Sequence, residues 1–204
     1  IMVDKPLVTI RIPAFNHEDF IEKAIMSAIN QTYPNIEIIV IDDGSRDKTP
    51  EIAQRLADKY GFTFIRQENV GVSETMNRLF ALSNGEYILG CASDDYLDEK
   101  AVEHAVEVAL KRNADIVCGR VKIVNNVGEI TGELNFKANN KITKDGILMK
   151  KILLPKQGFL YKKRLLQNIH PIPETIKVED AYTFLKLPNT TKFACSRKVF
   201  KYYR

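Results

Sequence analysis

An apolar run that ends in two adjacent carboxylates constrains the fold of this chain more than any other feature. Residues Ile38–Ile41 lead directly into Asp42, Asp43, Gly44 and Ser45. A continuous run of β-branched residues is typical of a strand that is buried in a parallel sheet. Open α/β sheets bind their ligands at the carboxyl ends of the strands, so we expect a binding site beside these acids.

A second apolar run ends in the same way. Residues Tyr87–Ala92 are followed by Ser93, Asp94 and Asp95. Because the ends of parallel strands meet at one edge of a sheet, the two acid pairs are expected to lie near each other. Carboxylates in this position suit a hard divalent cation, and a metal-bound phosphate is the ligand that they predict.

The first half of the chain alternates strand and helix patterns, which is typical of a mostly parallel sheet covered by helices. Thr49, Ser73 and Asp98 stand where they could cap three of the helices. The predicted strands are 7–12, 36–41, 62–65, 87–91 and 116–118, and the predicted helices are 18–29, 50–60, 74–82 and 99–111.

The pattern changes in the second half. A hairpin is predicted around Asn125-Asn126, followed by a polar loop over 137–141, helices over 147–153, 164–169 and 180–187, and a closing strand over 199–203. We therefore predict a single domain over the 204 residues. Residues 1–119 are expected to form a half similar to nucleotide-binding folds, and residues 120–204 a half that shapes a second ligand pocket.

Composition indicates a soluble globular protein. The chain is 45% hydrophobic and 27% charged, and no apolar run approaches the roughly 18 residues of a membrane span. No signal peptide is recognised, and the odd number of cysteines predicts three unpaired thiols with small apolar roles, so we expect a cytoplasmic protein. From Ala181 to Arg204 there are basic residues and no acids, which indicates either a solvated surface or attraction to an anionic ligand or membrane.

Several motifs resemble those of the inverting family 2 glycosyltransferases, which have the GT-A fold. Residues Val8–Asn16 are similar to their opening strand and "P-x-Y-N" turn. Residues Ser27–Tyr33 resemble the "S-x-x-x-Q-T-Y" helix end, and Glu37–Thr49 resembles "E-I-I-V-x-D-D-G-S-x-D-x-T". Ser93-Asp94-Asp95 stands where the "D-x-D-D" metal motif belongs, and Glu179-Asp180 stands where the catalytic "E-D" motif belongs.

The resemblance implies a metal-dependent enzyme that moves a sugar from a nucleotide donor to a hydroxyl group with inversion. Asp180 would be the catalytic base and Glu179 would position the acceptor. Asp95, and next Asp94, would hold Mg²⁺ or Mn²⁺ against the diphosphate. Asp43 would accept the imide N–H of a uracil base. The other residues expected at the donor are Pro13, Ala14, Phe15, Asp42, Asn69 and Asp94.

The resemblance also implies partners and a place in the cell. A UDP-sugar is the expected donor and a glycan or lipid-linked molecule the expected acceptor, as in the assembly of bacterial cell-surface polysaccharides, with no role for nucleic acid. The expected location is cytoplasmic, with peripheral contact at the inner face of the membrane. Family members usually continue past a strand similar to Tyr202-Tyr203-Arg204, so we expect the natural chain to extend beyond residue 204.

Two positions depart from the family pattern. The first Asp of the metal motif is Ala92, and Met76 stands where the family has a basic residue. A non-catalytic nucleotide-sugar binder is therefore an alternative. A sugar nucleotidyltransferase and a phospho-receiver module are further alternatives. Sugar nucleotidyltransferases usually have a glycine-rich basic loop after the first strand, and phospho-receiver modules carry an acid pair after the first strand. This chain has neither feature after its first strand.

Overall fold

The computed structural model of the protein describes residues 5–134, 159–176 and 178–204. These residues form one nine-stranded sheet with helices on its faces, in the order β3-β2-β1-β4-β8-β6-β9-β5, and β7 pairs with β6. The strands are β1 Val8–Ala14, β2 Ile36–Asp43, β3 Thr63–Gln67, β4 Tyr87–Gly90, β5 Tyr96–Leu97, β6 Ile116–Val124, β7 Ile130–Leu134, β8 Phe159–Lys162 and β9 Phe193–Tyr203. The helices are α1 Ile21–Ile29, α2 Thr49–Tyr60, α3 Val72–Leu82, α4 Ala101–Arg112, α5 Lys163–Leu166 and α6 Glu179–Lys186.

The first half of the sheet is parallel, as the alternating pattern predicts. Strands β3, β2, β1 and β4 run side by side in one direction, so their carboxyl ends share an edge. Ile10 and Ile12 of β1 pack into the main core, which α1, α2 and α4 cover. On the opposite face, Ile39 and Ile41 of β2 pack against α3. Strand β4 and the second half of β2 are buried on both faces, which explains their continuous apolar runs.

The second half extends the same sheet with mixed strands. Strand β8 is antiparallel to β4 and β6, and β9 is parallel to β6. The predicted hairpin is confirmed as β6 and β7, but β6 also includes the separately predicted strand 116–118. The closing strand begins at Phe193, six residues before its predicted start at Val199. The predicted loop 137–141 and helix 147–153 lie outside the described residues.

The three predicted helix caps do not form as expected. None of α2, α3 and α4 has a side-chain cap hydrogen bond. The Thr49 hydroxyl accepts a hydrogen bond from the backbone N–H of His17 at 2.8 Å, and Ser73 donates to the carbonyl of Ile176 at 2.6 Å. Asp98 lies before α4 and accepts from a backbone N–H in the preceding turn. The side chains of Thr49 and Ser73 therefore form hydrogen bonds with distant segments instead of the helix caps that the local sequence predicts.

The cysteine prediction is wrong for two of the three thiols. Cys118 of β6 lies directly opposite Cys195 of β9 in the parallel register, with the Cα atoms 4.8 Å apart, and the two form a disulfide. Cys91 is unpaired and buried. The partners are 77 residues apart in sequence, so only the register of the sheet brings them together.

Within the described ranges, no helix combines the length and the apolar character that crossing a membrane would require. The basic stretch at the end of the chain is divided between two environments. Lys186, Lys192, Arg197 and Lys198 are exposed, whereas Lys201 is completely buried in β9. The expectation of a solvated or ligand-attracting basic surface therefore fails for Lys201.

Candidate active site

The loops that follow β1, β2 and β4 are joined by hydrogen bonds at the carboxyl edge of the sheet. The backbone N–H of Asn16 donates to the Ser45 hydroxyl at 2.8 Å, and the N–H of Arg46 donates to the Asn16 side-chain oxygen at 2.9 Å. The Nδ1 atom of His17 is hydrogen-bonded to the Ser93 hydroxyl at 2.7 Å. The two acid-ended strands therefore deliver their acids to one connected edge, as predicted.

Asp43 holds the loop between β3 and α3. Its Oδ1 accepts hydrogen bonds from the Gln67 side chain and from the backbone N–H of Val70, both at 2.9 Å. Its Oδ2 accepts from the N–H of Gly71 at 3.0 Å. The residue is 6% exposed, and Oδ2 can accept a second hydrogen bond. A uracil imide N–H could use that position, and the base-reading role of Asp43 stays a prediction.

Asp42 lies deeper and stabilises the turn. Its Oδ2 accepts from the N–H of Ser45 at 3.1 Å and lies 3.8 Å from Nε of Arg66. The intervening Gly44 has φ +76°, and a Cβ atom there would lie 2.7 Å from the backbone nitrogen of Asn69. Only glycine fits this turn without strain. The close approach brings exposed Asn69 beside the acid pair, and the expected contacts of Asp42 and Asn69 with the donor stay predictions.

The turn after β1 contributes one exposed ring. Ala14 is buried and Pro13 is half-buried, whereas Phe15 is 44% exposed and is not part of the core. An exposed aromatic ring beside a polar edge is available for stacking against a base or a sugar. The expected contacts of Pro13, Ala14 and Phe15 with the nucleotide stay predictions.

The two acids after β4 have different environments. The Oδ2 atom of Asp95 forms an ion pair with Nζ of Lys201 at 2.5 Å, and its Oδ1 accepts from the backbone N–H of Arg204 at 2.9 Å. Burial raises the pKa of Asp95, and the charge of Lys201 opposes that rise. Both carboxylate oxygens thus have protein partners. Asp94 is half-buried, and it replaces Asp95 as our first candidate for a cation ligand.

Arg204 ties the end of β9 to this acidic turn. Its Nε donates to the backbone carbonyl of Asp94 at 3.0 Å, and its guanidinium lies 4.3 Å from the centre of the Phe20 ring. Its Nη1 also donates to the carbonyls of Asn125 and Asn126, both at 2.7 Å. The position of Asp94 is therefore set by contacts with the last strand.

A divalent cation fits this turn with a single protein carboxylate. Within residues 5–134, 159–176 and 178–204, no group of three histidine, cysteine or acidic side chains could hold a metal ion. Magnesium commonly binds one or two carboxylates and takes its other ligands from substrate phosphates and water. Asp94 meets that requirement, since Asp95 is engaged by Lys201 and alanine at position 92 offers no carboxylate.

The segment that leads to Glu179 and Asp180 is fastened to α3. Besides the bond from Ser73 to Ile176, the Asn77 side chain donates to the carbonyl of Ile172 at 2.9 Å and accepts from its N–H at 2.7 Å. Helix α3 itself begins beside Asp43, through the Gly71 contact described above. These hydrogen bonds place the start of α6 on the same side of the molecule as the nucleotide-binding candidates.

Glu179 is buried and Asp180 is half-buried at the start of α6. Electrostatic interactions connect Asp180 with Arg11 and Tyr161, and Arg11 with His170. Burial raises the pKa of Tyr161, so that this side chain is neutral at neutral pH. An arginine inside the apolar run of β1 is the sequence signal that could have identified this cluster.

His170 gives the cluster a predicted effect on stability. Its ring stacks on Phe80 with centroids 4.1 Å apart, and its Nδ1 lies 3.0 Å from the Asn77 side-chain oxygen. Burial, and next the charge of Arg11, lower the pKa of His170 from 6.5 to about 4. As pH falls below about 6.5, the unfolded chain binds a proton that the folded protein does not, so the free energy of unfolding is expected to decrease until about pH 4.

Urea unfolding between pH 7 and 4 measures this effect. The variant His170→Gln is expected to flatten the decrease, while the control His104→Gln, at a half-buried position on α4, keeps it. An equally steep decrease in His170→Gln would show that other groups cause it.

The fold and the acid-lined edge define an α/β protein with a candidate ligand site at the carboxyl ends of its parallel strands. The chain belongs to glycosyl transferase family 2, whose model matches residues 9–170. It is 39% identical over 117 residues to an uncharacterised glycosyltransferase of Rickettsia typhi, covering 56% of this chain and 36% of that protein. It is 37% identical over 123 residues to the cholesterol galactosyltransferase of Borreliella burgdorferi, covering 60% and 34%. The chain spans about a third of the length of these relatives.

Solved structures confirm the GT-A fold. The protein resembles S. aureus TarS 1-349 in complex with UDP with a TM-score of 0.80 and 21% identity, covering 96% of this chain and 60% of the other. It also resembles the mannosyltransferase PcManGT from Pyrobaculum calidifontis in complex with GDP-Man and Mn²⁺, with a TM-score of 0.70 and 19% identity over 96% and 56% of the two chains. At these identities the likeness concerns the fold alone.

Proposed function

We propose that this chain is the catalytic region of an inverting, metal-dependent glycosyltransferase that moves a sugar from UDP to a hydroxyl group. The connection between Asp43, at the end of β2, and the acids at the start of α6 carries the proposal. Asp43 holds the N–H of Gly71 at the start of α3, and Ser73 in the first turn of α3 holds Ile176, three residues before Glu179. A nucleotide held at Asp43 would thus lie near a carboxylate at the start of α6.

A uridine nucleotide is the donor that the acid pair favours. A carboxylate accepts the imide N–H of uracil, whereas cytosine presents an unprotonated ring nitrogen at that position. TarS, which shares the fold, forms complexes with UDP and UDP-GlcNAc. PcManGT binds GDP-Man, so a guanine donor is the alternative that the experiment must include.

The transfer is a single displacement with balanced charges. The acceptor oxygen forms a bond to the anomeric carbon as the bond from that carbon to the diphosphate oxygen breaks. The leaving diphosphate takes the electron pair of that bond, and the carboxylate of Asp180 takes the acceptor proton. Attack opposite the leaving group inverts the configuration, and Glu179 would orient the acceptor.

Asp94 would hold the cation beside the leaving group. Mg²⁺ or Mn²⁺, when bound, would supply positive charge that stabilises the departing diphosphate. Arg204 and Lys201 keep the turn of Asp94 in place through the contacts described above. We place the acceptor, a glycan or lipid-linked hydroxyl, on the side of residues 120–204. Exposed basic residues such as Lys192 and Arg197 are compatible with peripheral contact with an anionic membrane.

Nucleotide selectivity tests the donor assignment. With Mn²⁺ present, UDP is expected to bind about 10- to 100-fold more tightly than CDP, because a hydrogen bond to a charged group contributes about 1.5–3 kcal/mol. Isothermal titration calorimetry with UDP, CDP and GDP measures the preference. Equal affinity for UDP and CDP would remove the base-reading role of Asp43. Tighter binding of GDP would change the assigned donor from a uridine to a guanosine nucleotide.

Sugar transfer is tested in two steps. A screen of UDP-sugars with Mn²⁺ first measures thermal stabilisation of the protein. Release of UDP is then measured in the presence of glycan and lipid-linked acceptors. Ala92 keeps a second candidate function in consideration, that of a nucleotide-sugar binder without catalysis. Binding of a UDP-sugar without its hydrolysis or transfer to any acceptor would favour that second function. Formation of a UDP-sugar from UTP and a sugar phosphate would instead indicate a nucleotidyltransferase.

A further inference from the structure

Arg11 is a charged residue in the middle of a central strand. It lies in β1 between Ile10 and Ile12, and it is 5% exposed. Its neighbours in the register are Ile39 on β2 and Gly90 on β4. Since Gly90 has no side chain, the long side chain of Arg11 can extend over β4 toward the second half of the sheet.

The guanidinium is a buried cation with few partners. Its Nε and Nη1 atoms are buried and have no hydrogen-bond partner within the described part of the chain. Burial lowers the pKa of Arg11 to about 10, and Tyr161 and Asp180 oppose that decrease. The side chain therefore remains protonated at neutral pH, and its charge requires a nearby anion.

Asp180 is the anion among the groups that act on Arg11. Tyr161 on β8 is neutral because burial raises its pKa. His170, in the loop after α5, is neutral above its lowered pKa of about 4. Asp180 lies one turn before Phe184 on α6, and the Phe184 ring is 6.4 Å from that of Tyr161, so Asp180 is the acidic group on the helix that packs beside Tyr161 and acts on Arg11.

We propose that Arg11 is the positioning residue for the candidate base, holding the Asp180 carboxylate ionised and in place to receive the acceptor proton. The inference rests on the proposed function and adds to it a residue from the opposite half of the chain. Stability alone does not account for Arg11, because replacing a buried ion by an apolar side chain of similar volume is often neutral or stabilising. A buried arginine with unpartnered nitrogens is thus better explained by its effect on Asp180.

The variant Arg11→Met separates positioning from structure. A nearby opposite charge lowers a carboxyl pKa by about 1–3 units, so its loss should move the acid side of the pH profile of kcat/KM upward by at least about 1 unit. At pH values on the acid side of the profile, the variant is expected to be about tenfold slower than the wild type. The difference in rate should disappear as pH rises. Its melting temperature should be unchanged or higher, and UDP affinity should be unchanged.

Two further variants provide the controls. Arg11→Lys restores a positive charge and should return the pH profile part of the way to that of the wild type. Arg55→Met removes an exposed arginine that pairs with Glu22 on the surface, and it should leave the profile unchanged. A rate that falls by the same factor at every pH in Arg11→Met would show a merely structural role and overturn the proposal.

A measurement without substrate distinguishes this inference from the proposed function. Carbon-13 NMR titration of the Asp180 carboxyl should give a midpoint at least about 1 pH unit higher in Arg11→Met than in the wild type. Identical midpoints would overturn the proposal even in an active enzyme. If the wild type transfers no sugar but the midpoints differ, the proposed function fails and the electrostatic link between Arg11 and Asp180 stands.

Discussion

Replacing Asp180 by Asn is expected to reduce the rate of sugar transfer about 10²- to 10⁴-fold, the usual contribution of a general base. The amide has nearly the same shape as the carboxylate but cannot take the acceptor proton at neutral pH. Donor binding should stay within about twofold of the wild type, because the loss is confined to the transition state. Asp43 and Gly71, at the proposed nucleotide site, lie outside α6, which carries Asp180.

Single-turnover kinetics and calorimetry with UDP measure the two quantities separately. Glu174→Gln is the matched control, since Glu174 is exposed and lies in the segment that precedes α6. It should behave as the wild type in both experiments. Transfer by Asp180→Asn at a rate close to that of the wild type would remove Asp180 as the base.

Replacing Asp94 by Asn is expected to weaken Mn²⁺-dependent binding of UDP by at least about 100-fold. Loss of a group that only orients a metal ligand typically reduces affinity 10–100-fold, and loss of the single protein ligand should cost more. The neighbouring acid should behave differently. In Asp95→Asn the buried Lys201 loses its ion pair, so the protein should lose roughly 3–5 kcal/mol of stability.

Calorimetry with UDP, in Mn²⁺ and again in EDTA, tests the assignment, and urea unfolding measures the stability of both variants. Asp58→Asn, on the exposed face of α2, is the control and should change neither property. Unchanged Mn²⁺-dependent affinity in Asp94→Asn would exclude Asp94 as the cation ligand. If Asp95→Asn loses metal-dependent affinity while retaining its stability, Asp95 is again the first candidate for the cation ligand, as the sequence predicted.

Local patterns in the sequence were sufficient to predict most of the fold. Strands that are buried on both faces require unbroken apolar runs, and the helices that cover them require apolar residues at helical spacing, so both are visible within short windows. The residues after Ile41 and Gly90 also indicated the edge at which ligands bind, because parallel strands deliver their ends to one side.

Contacts between distant segments could not be predicted in this way. The disulfide of Cys118 with Cys195 and the ion pair of Asp95 with Lys201 join residues that are far apart in sequence. Both depend on β9, whose place beside β6 no local pattern reveals. The N-cap predictions failed for the same reason, since Thr49 and Ser73 bind residues of other segments.

The two acid pairs therefore mark the division between sequence and tertiary structure. The sequence by itself determined an α/β sheet of family 2 type with acids at the ends of β2 and after β4. Only the tertiary structure decided how those acids are used: Asp43 holds the loop before α3, Asp95 neutralises Lys201, and Asp94 is left as the ligand candidate. The reason is physical. Burial and apolar periodicity act over a few residues, whereas the partner of a buried charge is set by the packing of the whole chain.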